Sequence, residues 1–249
     1  PLLDLSHNDI EKRQQSSVTI IFQNICRFDS NRRALANDFG YEQADIILLV
    51  ECHNKTDERV IAESVFGLTH RLVHYSSGTA YNASNGQACY VRRNDHSNRL
   101  KLIADNTNTS NNEYVGSGQN KITELSIFVY KFSETKKVYI INVYKHPKHN
   151  FNSCLHDIYN FYKKHVIDSG LDTNEKKSVL IIGDFNVDLN KNLDGMSSLK
   201  NQMKMTPLFE NEKTFENKSQ LDWAFKNSNF EFKILSSTYD TWFSDHSAI

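Results

Sequence analysis

Short apolar runs separated by polar segments dominate the first three quarters of the chain. The runs are rich in Ile, Val, Leu and Tyr, and most lack the strict alternation of a strand with one solvent-exposed face. This pattern predicts strands that are covered on both faces or that pack sheet on sheet. The predicted strands cover residues 18–23, 45–50, 87–91, 123–130, 138–144 and 179–183.

Helices are predicted between some of these strands. Residues 29–39 begin at Asp29, a candidate N-cap, and residues 57–66 form a second candidate helix. Residues 151–167 are the clearest, because their apolar side chains recur at helical spacing and are expected to pack in the core. Those side chains are Leu155, Ile158, Tyr159, Tyr162 and Val166.

The rest of the pattern predicts a mixed α/β chain. Residues 104–120 are mostly Asn, Thr, Ser and Gly, which predicts a long surface loop that is either functional or disordered. Short strands return beyond residue 206. Two β-sheets with helices outside them would account for this set of elements.

Gly and Pro number only 9 and 3, so no linker is visible and one domain over residues 1–249 is predicted. Its abrupt ends, Pro1 and Ile249, suggest a piece cut from a longer polypeptide.

Charge and cysteine usage narrow the function classes. The net charge of −1 shows no overall basic footprint for nucleic acid. Two local pairs, Lys145 with His146 and Arg92 with Arg93, are candidate substrate contacts, although solvated loops carry such charges as well. The four cysteines form no C-x-x-C pair, which argues against a zinc site and favours a reducing compartment. With neither a signal peptide nor a membrane-spanning apolar run, an intracellular protein is expected.

The run Gly183-Asp184-Phe185-Asn186 carries the first candidate chemistry. An apolar strand ends at Gly183, and residues two apart on extended backbone point to the same side. Asp184 and Asn186 are therefore expected to share one site, where a carboxylate and an amide suit the activation and orientation of a water molecule. A turn in which Asp and Asn bond the local backbone would look the same in sequence.

Other predicted strands also end in a polar residue. Asn24, Glu51 and Tyr144 follow or close three apolar runs, and an ionised carboxylate at a buried strand end needs a partner or a metal. Oxygen ligands of this kind suit Mg²⁺. Near the end of the chain, Asp222 precedes the run Ser244-Asp245-His246, and an Asp beside a His is the usual arrangement for an oriented imidazole.

In this order, the motifs resemble those of the endonuclease/exonuclease/phosphatase superfamily, which run N, E, Y, GDFN, D and SDH. The match extends from Val18 to the C-terminus. The resemblance implies a four-layered α/β sandwich, in which two packed and mainly antiparallel β-sheets are flanked by helices. It also implies a phosphodiesterase that uses Mg²⁺, for which Mn²⁺ can substitute.

The same resemblance implies the metal ligands. Glu51 would be the principal ligand, with Asn24 and Asp245 close to the metal. Many apurinic-site nucleases of the superfamily carry an acid two residues after the Asn, where this chain has Cys26. This departure puts a second metal-binding carboxylate in doubt and leaves single-metal chemistry intact.

The resemblance also implies the catalytic roles. Asp184 would position or deprotonate the attacking water, and Asn186 would orient water or phosphate. Tyr144 and His246 would bind the scissile phosphate, with Asp222 holding the ring of His246.

The branch of the superfamily is suggested by residues 142–147, 220–225 and 244–249. They resemble endonuclease domains of mobile elements, namely LINE-type retrotransposons and Helitron-like elements. This resemblance implies a DNA endonuclease that nicks duplex DNA and leaves a 3′-hydroxyl. It would act in the nucleus, with reverse transcriptase or helicase domains of the same polyprotein as candidate partners.

Several alternatives stay open. A deadenylase-like RNA exonuclease usually has Gln before the glutamate, whereas Val50 precedes Glu51 here. A phosphoinositide phosphatase would need more basic residues near the site, and a secreted deoxyribonuclease I-like enzyme would need a signal peptide and disulfide spacing. An inactive nucleic-acid-binding module is the alternative from another class, and Cys26 is its only support. An unrelated α/β binding protein would require six ordered motif matches by chance.

Overall fold

A computed structural model gives the fold and the side-chain contacts of most of the chain. It describes residues 17–52, 59–76, 86–93, 98–107, 123–169, 177–216, 218–230, 232–238, 241 and 243–249. None of the helices in these ranges is long and apolar enough to cross a membrane.

A four-stranded sheet forms the first half of the fold. Its strands are β1 (Ile20–Asn24), β2 (Ile46–Val50), β3 (His70–Ser76) and β4 (Gln87–Arg92), in the spatial order β1-β2-β4-β3. The β1 and β2 strands are parallel, and the other neighbours are antiparallel. The parallel pair brings the carboxyl ends of β1 and β2 to the same edge of the sheet.

A six-stranded sheet forms the second half. Its strands, in chain order, are β5 (Leu100–Asp105), β6 (Thr123–Lys131), β7 (Lys137–Lys145), β8 (Ser178–Asp184), β9 (Met205–Pro207) and β10 (Asp222–Asn227). The spatial order is β5-β6-β7-β8-β10-β9, with β7 and β8 parallel and the remaining neighbours antiparallel.

Helices cover the outer faces of both sheets. In the described ranges they are α1 (Phe28–Ala36), α2 (Phe39–Gln43), α3 (Arg59–Val65), α4 (Phe151–Tyr162) and α5 (Leu193–Asn201), and α4 continues into a π-helical turn at Lys163–Ile167. Side chains from the first three helices pack on the four-stranded sheet, and those from α4 and α5 pack on the six-stranded sheet. This arrangement confirms the predicted four-layered α/β sandwich with mainly antiparallel sheets.

The alternation of strand residues explains why the strands are apolar throughout. Leu48 and Val50 pack between the two sheets, while Ile47 and Leu49 pack against the helices. In β8, Leu180 and Ile182 point between the sheets and their neighbours point to the helical side. Each strand therefore buries both faces, as the continuous apolar runs predicted.

The predicted strands agree with the observed ones within two residues at each end. The strands β3 and β5 were missed, because His and Arg interrupt the apolar pattern of β3 and Lys101 interrupts that of β5. The strand β5 also takes the first two residues of the predicted loop at 104–120, most of which lies outside the described residues.

The predicted helices need two corrections. The helix predicted at 29–39 begins at Phe28 and ends at Ala36, and Phe39 starts a separate short helix that is capped by the side chain of Asp38. The described part of the second helix is Arg59–Val65, and Asp57 lies outside the described residues. On α4 the core-packing interpretation was wrong for Tyr159, whose side chain is 44% exposed.

Candidate active site

Four of the predicted site residues lie at one end of the interface between the sheets. Asp184 at the end of β8 is the register partner of Tyr144 on β7 and of Asp222 on β10. Their side chains follow the alternation of the inter-sheet core, which includes Ile182 and Ala224 two residues away. Asn24 lies at the corresponding end of β1 and contacts Asp184 directly. The apolar core therefore gives way to a polar site at this edge.

Gly183 and Asn186 shape the turn that carries Asp184. A Cβ atom on Gly183 would lie 2.1 Å from the carbonyl oxygen of Val143 on the neighbouring strand. Glycine thus permits β7 and β8 to approach closely just before Asp184. Asn186 has a left-handed backbone with φ of 47°, and its side-chain amide donates to the carbonyl of Lys145 at 2.8 Å.

Asp184 is fully buried and accepts three hydrogen bonds. Its Oδ1 accepts from the backbone N–H of Asn186 at 2.7 Å. Its Oδ2 accepts from the side-chain amide of Asn24 at 2.9 Å and from that of Asn186 at 3.1 Å. Burial, with a contribution from the Asp222 charge, raises the pKa of Asp184 to about 7, against the opposing effects of His246 and the amide donors. A carboxyl poised at this pKa suits general-base chemistry near neutral pH.

His246 is oriented by Asp222. The ring Nδ1 and the Asp222 Oδ2 are 2.7 Å apart, and both side chains are buried. Burial alone lowers the pKa of His246, but the Asp222 charge and hydrogen bond outweigh it and raise the pKa to about 10. The imidazole is therefore a cation at neutral pH, with Nδ1 committed to Asp222.

The backbone around Asn24 and His246 is tied together. Ser244 donates its hydroxyl to the carbonyl of Asn24 at 2.7 Å, and the Ser244 Oγ accepts from the backbone N–H of His246 at 3.1 Å. The side chain of Gln23 donates to the carbonyl of His246 at 2.7 Å. Ile249 forms two backbone hydrogen bonds with Phe22, so the last residues of the chain run beside β1. These contacts fix His246 on the four-stranded sheet while Asp222 holds it from the six-stranded sheet.

Glu51 follows β2 on a left-handed backbone with φ of 56°. Tyr144 donates its hydroxyl to Glu51 Oε1 at 2.9 Å, which joins the two sheets at the site. Burial raises the pKa of Glu51, hydrogen bonds from Tyr144 and Asn24 oppose the rise, and the charge of Asp245 adds to it. Glu51 is thus a half-buried acid whose ionised form is stabilised by neighbouring donors.

Cys26 lies beside two of the predicted metal ligands. Its thiol is partly buried and lies near the carboxyl groups of Glu51 and Asp245. Burial, followed by the charge of Glu51, raises the pKa of the thiol well above its usual range. The second acid that the superfamily pattern would place here is therefore replaced by a neutral thiol, and Asp245 itself is exposed.

The donor set fits a divalent metal ion. Glu51, Asn24 and Asp245 supply carboxylate and amide oxygens, which are the ligands that Mg²⁺ prefers. Four carboxylates, those of Glu51, Asp184, Asp222 and Asp245, meet one imidazolium at the site, so a cation would offset an excess of negative charge.

A second acidic group is more compact but fits a metal less well. One ligand atom from each of Asp184, Asp222 and His246 lies within 4.8 Å of the others. The His246 Nδ1 is already hydrogen-bonded to Asp222, however, and a protonated ring cannot coordinate a metal. The Glu51 side of the site is therefore the better candidate for the ion.

Comparison with solved structures identifies the fold. The endonuclease domain of TRAS1, a telomere-specific non-LTR retrotransposon, matches with a TM-score of 0.61 at 16% identity, over 93% of this chain and 95% of that chain. The AP endonuclease LMAP from Leishmania major matches with a TM-score of 0.63 at 11% identity, over 93% and 86%. The catalytic domain of human Nocturnin matches with a TM-score of 0.57 at 14% identity, over 93% and 90%.

This chain has the endonuclease/exonuclease/phosphatase fold. The structural neighbours are members of that family, and two carry the family name in their descriptions. No protein-family model matches the sequence, and a search of curated proteins finds no match. The similarity is therefore one of fold, at sequence identities of 11–16%.

Among the predicted substrate contacts, Arg92 and Arg93 lie away from the site in this fold. Arg92 ends β4 and donates its backbone N–H to the carbonyl of Asp45, whereas the site lies at the other end of that strand. Its guanidinium bonds the carbonyls of Glu42 and Gln43, and Arg93 bonds those of Gly67 and His70. The two arginines therefore brace a loop and a helix end at the opposite edge of the sheet.

Lys145 and His146 lie next to the site, but Lys145 is buried. Its ammonium group donates to the carbonyls of His146 and His149 at 3.0 Å each. This lysine anchors the loop that follows β7 and cannot extend to a substrate while it does so. His146 is partly exposed, and its Nδ1 accepts from the backbone N–H of Lys148 at 3.3 Å, which puts the proton of the neutral ring on Nε2.

Glu124 is a site-edge residue that the sequence reasoning missed. It is the register partner of Tyr144 and is only 3% exposed. The signal was present, because an acid inside the apolar run Thr123–Lys131 is as unexpected as Glu51 after β2. Thr214 was missed as well, and its hydroxyl accepts from the backbone N–H of Asp222 at 3.0 Å.

Proposed function

We propose that this chain is a divalent-metal-dependent phosphodiesterase that nicks duplex DNA and leaves a 3′-hydroxyl. The observation that carries the proposal is the convergence of Asp184, the Asp222–His246 pair and the Tyr144–Glu51 pair at one end of the inter-sheet core. A water-activating acid, a phosphate-binding cation and a metal-binding acid are the groups that phosphodiester hydrolysis requires.

Asp184 is proposed as the group that receives a proton from the attacking water. Its two oxygens accept hydrogen bonds from three donors, which fixes the carboxylate plane. A pKa of about 7 makes the ionised form available at neutral pH and keeps it basic enough to accept the proton. Asn24 and Asn186 orient this carboxylate through their side-chain amides.

His246 and Tyr144 are proposed to contact the scissile phosphate. The Nδ1 of His246 is bonded to Asp222, so its Nε2 N–H is the donor for a phosphate oxygen. The imidazolium charge stabilises the negative charge that develops on the phosphate. Tyr144 donates its one hydroxyl proton to Glu51 Oε1 in the substrate-free chain, so a hydrogen bond to the phosphate would require this proton to turn from Glu51 to a phosphate oxygen.

Glu51, Asn24 and Asp245 would hold Mg²⁺ or Mn²⁺. When bound, the ion would neutralise negative charge on the phosphate and on the leaving oxygen. The Tyr144 hydroxyl fixes one oxygen of Glu51 and leaves the other for coordination.

The choice of DNA as substrate rests on the sequence motifs and on two neighbours. The mobile-element likeness of residues 142–147, 220–225 and 244–249 agrees with the TRAS1 retrotransposon endonuclease domain among the structural matches. The AP endonuclease from Leishmania major is a second endonuclease among the neighbours. A reverse transcriptase or helicase domain in the same polypeptide, and action in the nucleus, belong to the same proposal.

A substrate panel tests this choice. The purified chain is incubated with Mg²⁺ and supercoiled plasmid, abasic duplex, single-stranded DNA, poly(A) RNA or a phosphoinositide, with Asp184→Asn as the matched inactive control. We expect plasmid and duplex DNA to be cut, and the new ends to be extended by a DNA polymerase without prior phosphatase treatment. Turnover of only RNA or only the phosphoinositide would overturn the DNA assignment.

A further inference from the structure

Glu124 is a buried acid that the proposed chemistry does not use. It lies on β6 beside Tyr144, faces the interior between the sheets and is 3% exposed. Burying a carboxyl group costs free energy unless hydrogen bonds compensate for the lost water. A neutral apolar residue would satisfy the packing of β6, so the acid at this position needs another explanation.

Two hydrogen bonds connect the Glu124 side chain to the backbone of Cys52, the residue after Glu51. The Glu124 Oε2 accepts from the backbone N–H of Gly86 at 2.8 Å. The carbonyl of the same Gly86 accepts from the backbone N–H of Cys52 at 3.1 Å. Cys52 directly follows Glu51, whose own backbone is in the left-handed region with φ of 56°. Two hydrogen bonds therefore separate the Glu124 side chain from a backbone conformation that non-glycine residues rarely adopt.

Gly86 is suited to its place in this connection. Its φ is 98°, a conformation that glycine adopts without the strain that a side chain would bring. Both of its backbone polar groups are used, the N–H by Glu124 and the carbonyl by Cys52. The residue immediately precedes β4, so Glu124 fixes the position of the start of that strand relative to Glu51.

A second connection runs through the sheet. Tyr144 is the register partner of Glu124 and donates to Glu51 Oε1 at 2.9 Å. Burial raises the pKa of Glu124 to about 8, and the charge of Glu51 adds to the rise, which agrees with two acids close in space. A mostly neutral carboxyl group at pH 7 adds no full negative charge beside the metal-binding acid.

We propose that Glu124 is a positioning residue for Glu51, which it holds in a metal-binding conformation through Gly86 and Cys52. The inference rests on the proposed function, because Glu51 is taken as the principal metal ligand. Since groups that orient a metal ligand commonly affect affinity by 10–100-fold, we expect loss of the Glu124–Gly86 bond to weaken metal binding by about 10-fold or more.

Three substitutions separate the hydrogen bond from the bulk of the side chain. Glu124→Gln keeps the length and an acceptor oxygen, and the amide resembles a neutral carboxyl group in shape. Glu124→Leu keeps most of the bulk and removes the acceptor. Glu124→Asp keeps a carboxyl group that is one methylene too short to maintain the 2.8 Å contact with Gly86. Thr123→Val is the matched control, because it removes a hydrogen bond to Asp157 one residue earlier on the same strand.

The measurement is the binding of Mn²⁺ to the substrate-free chain, followed by the electron paramagnetic resonance signal of the free ion. We expect the Kd of Glu124→Gln and Thr123→Val to stay within about 3-fold of wild type, and that of Glu124→Leu to rise about 10-fold or more. Thermal unfolding in EDTA identifies variants that have lost the fold. If Glu124→Leu does not fold, the comparison of Glu124→Asp with Glu124→Gln decides, with weaker binding expected for Asp.

The Mn²⁺ measurement distinguishes failure of the Glu124 role from failure of the proposed metal-dependent function. Wild-type binding of Mn²⁺ combined with equally tight binding by a folded Glu124→Leu or Glu124→Asp would overturn the positioning role and leave the proposed function intact. If the wild type binds no Mn²⁺ at millimolar concentration, the proposed metal-dependent function itself is wrong.

Discussion

Asp184 and Asp222 are register partners on antiparallel strands, yet only Asp222 is hydrogen-bonded to His246. The two acids therefore have different tasks although they lie side by side. Asp222 stabilises an imidazolium, while Asp184 accepts only from amide donors and has a pKa of about 7. Buried titratable groups whose surroundings separate their pKa values are typical of acid–base sites.

Replacing Asp222 by Asn should lower the pKa of His246. Without the Asp222 charge and hydrogen bond, burial lowers this pKa from about 10 and is opposed by the weaker effects of the Asp184 and Asp245 charges. We expect the rate of cleavage at pH 7.5 to fall about 10²–10⁴-fold. The imidazole chemical shifts, followed by NMR over the pH range, measure the change directly. Asp157→Asn, which removes the Asp157–His149 pair, should leave the His246 titration unchanged.

The stability of the fold should depend on the same pair. The folded-state pKa of His246 is raised to about 10 from an ordinary value near 6.5, so its stabilising effect is complete below about pH 6.5. That effect is lost progressively as the pH rises through about 10. The difference in free energy of unfolding between wild type and Asp222→Asn should therefore shrink between pH 7 and pH 11, as measured by urea denaturation. A difference that grows over this range would contradict the assignment of charge to the pair.

Removing the Tyr144 hydroxyl should weaken metal binding. Tyr144→Phe keeps the buried ring and deletes the bond to Glu51 Oε1, so Glu51 is less well oriented. We expect the Mg²⁺ concentration for half-maximal cleavage to rise about 10-fold, and Glu51→Gln to raise it at least as much. Tyr139→Phe on the opposite face of β7 is the control. An unchanged metal titration in Glu51→Gln would place the ion elsewhere.

Introducing an acid at Cys26 should strengthen metal binding and lower the stability of the metal-free protein. Cys26→Asp places a third carboxylate beside Glu51 and Asp245, where like charges repel in the absence of a cation. We predict a lower melting temperature than wild type in EDTA and a larger rise on adding Mg²⁺. The neutral variant Cys26→Ser serves as the control. Equal metal-induced shifts in Cys26→Asp and Cys26→Ser would show that position 26 does not face the ion.

Gly183 should tolerate no side chain. The added Cβ of Gly183→Ala would lie 2.1 Å from the Val143 carbonyl oxygen and 2.7 Å from its Cβ, so β7 and β8 would have to separate. We expect a loss of at least about 3 kcal/mol in the free energy of unfolding, measured by chemical denaturation. Gly67→Ala, whose nearest contact would be 3.1 Å, should cost clearly less. Similar losses in both variants would count against the close approach of the two strands.

Most of the fold could be predicted from the sequence because its strands bury both faces. Continuous apolar runs marked six of the strands, and the polar residues at the ends of four runs marked the site edge, namely Asn24, Glu51, Tyr144 and Asp184. The strands β3 and β5 were hidden because each has a partly exposed face, on which Arg71 and Lys101 break the pattern. The break between α1 and α2 at residues 37 and 38 depends on a local cap by Asp38, which outweighed the apolar spacing.

The contacts within the site could be predicted only in part. Alternation along the strands was enough to place Asp184 near other strand-end residues. The pairing of Tyr144 with Glu51, and of Glu124 with Gly86, depends on how the two sheets stack, which no local pattern encodes. Charge alone also suggested Arg92 and Arg93 as substrate contacts, although strand direction places them at the far edge.

Metal-dependent cleavage at this site is tested most directly by the nicking of supercoiled plasmid. Wild type and His246→Ala are compared, each with Mg²⁺ and with EDTA. We predict open-circular product with wild type and Mg²⁺, and none with EDTA. For His246→Ala we predict a rate reduced about 10²-fold or more, while thermal unfolding shows that the variant is folded. Cleavage that persists in EDTA, or a near-normal rate in His246→Ala, would contradict metal-dependent hydrolysis at this site.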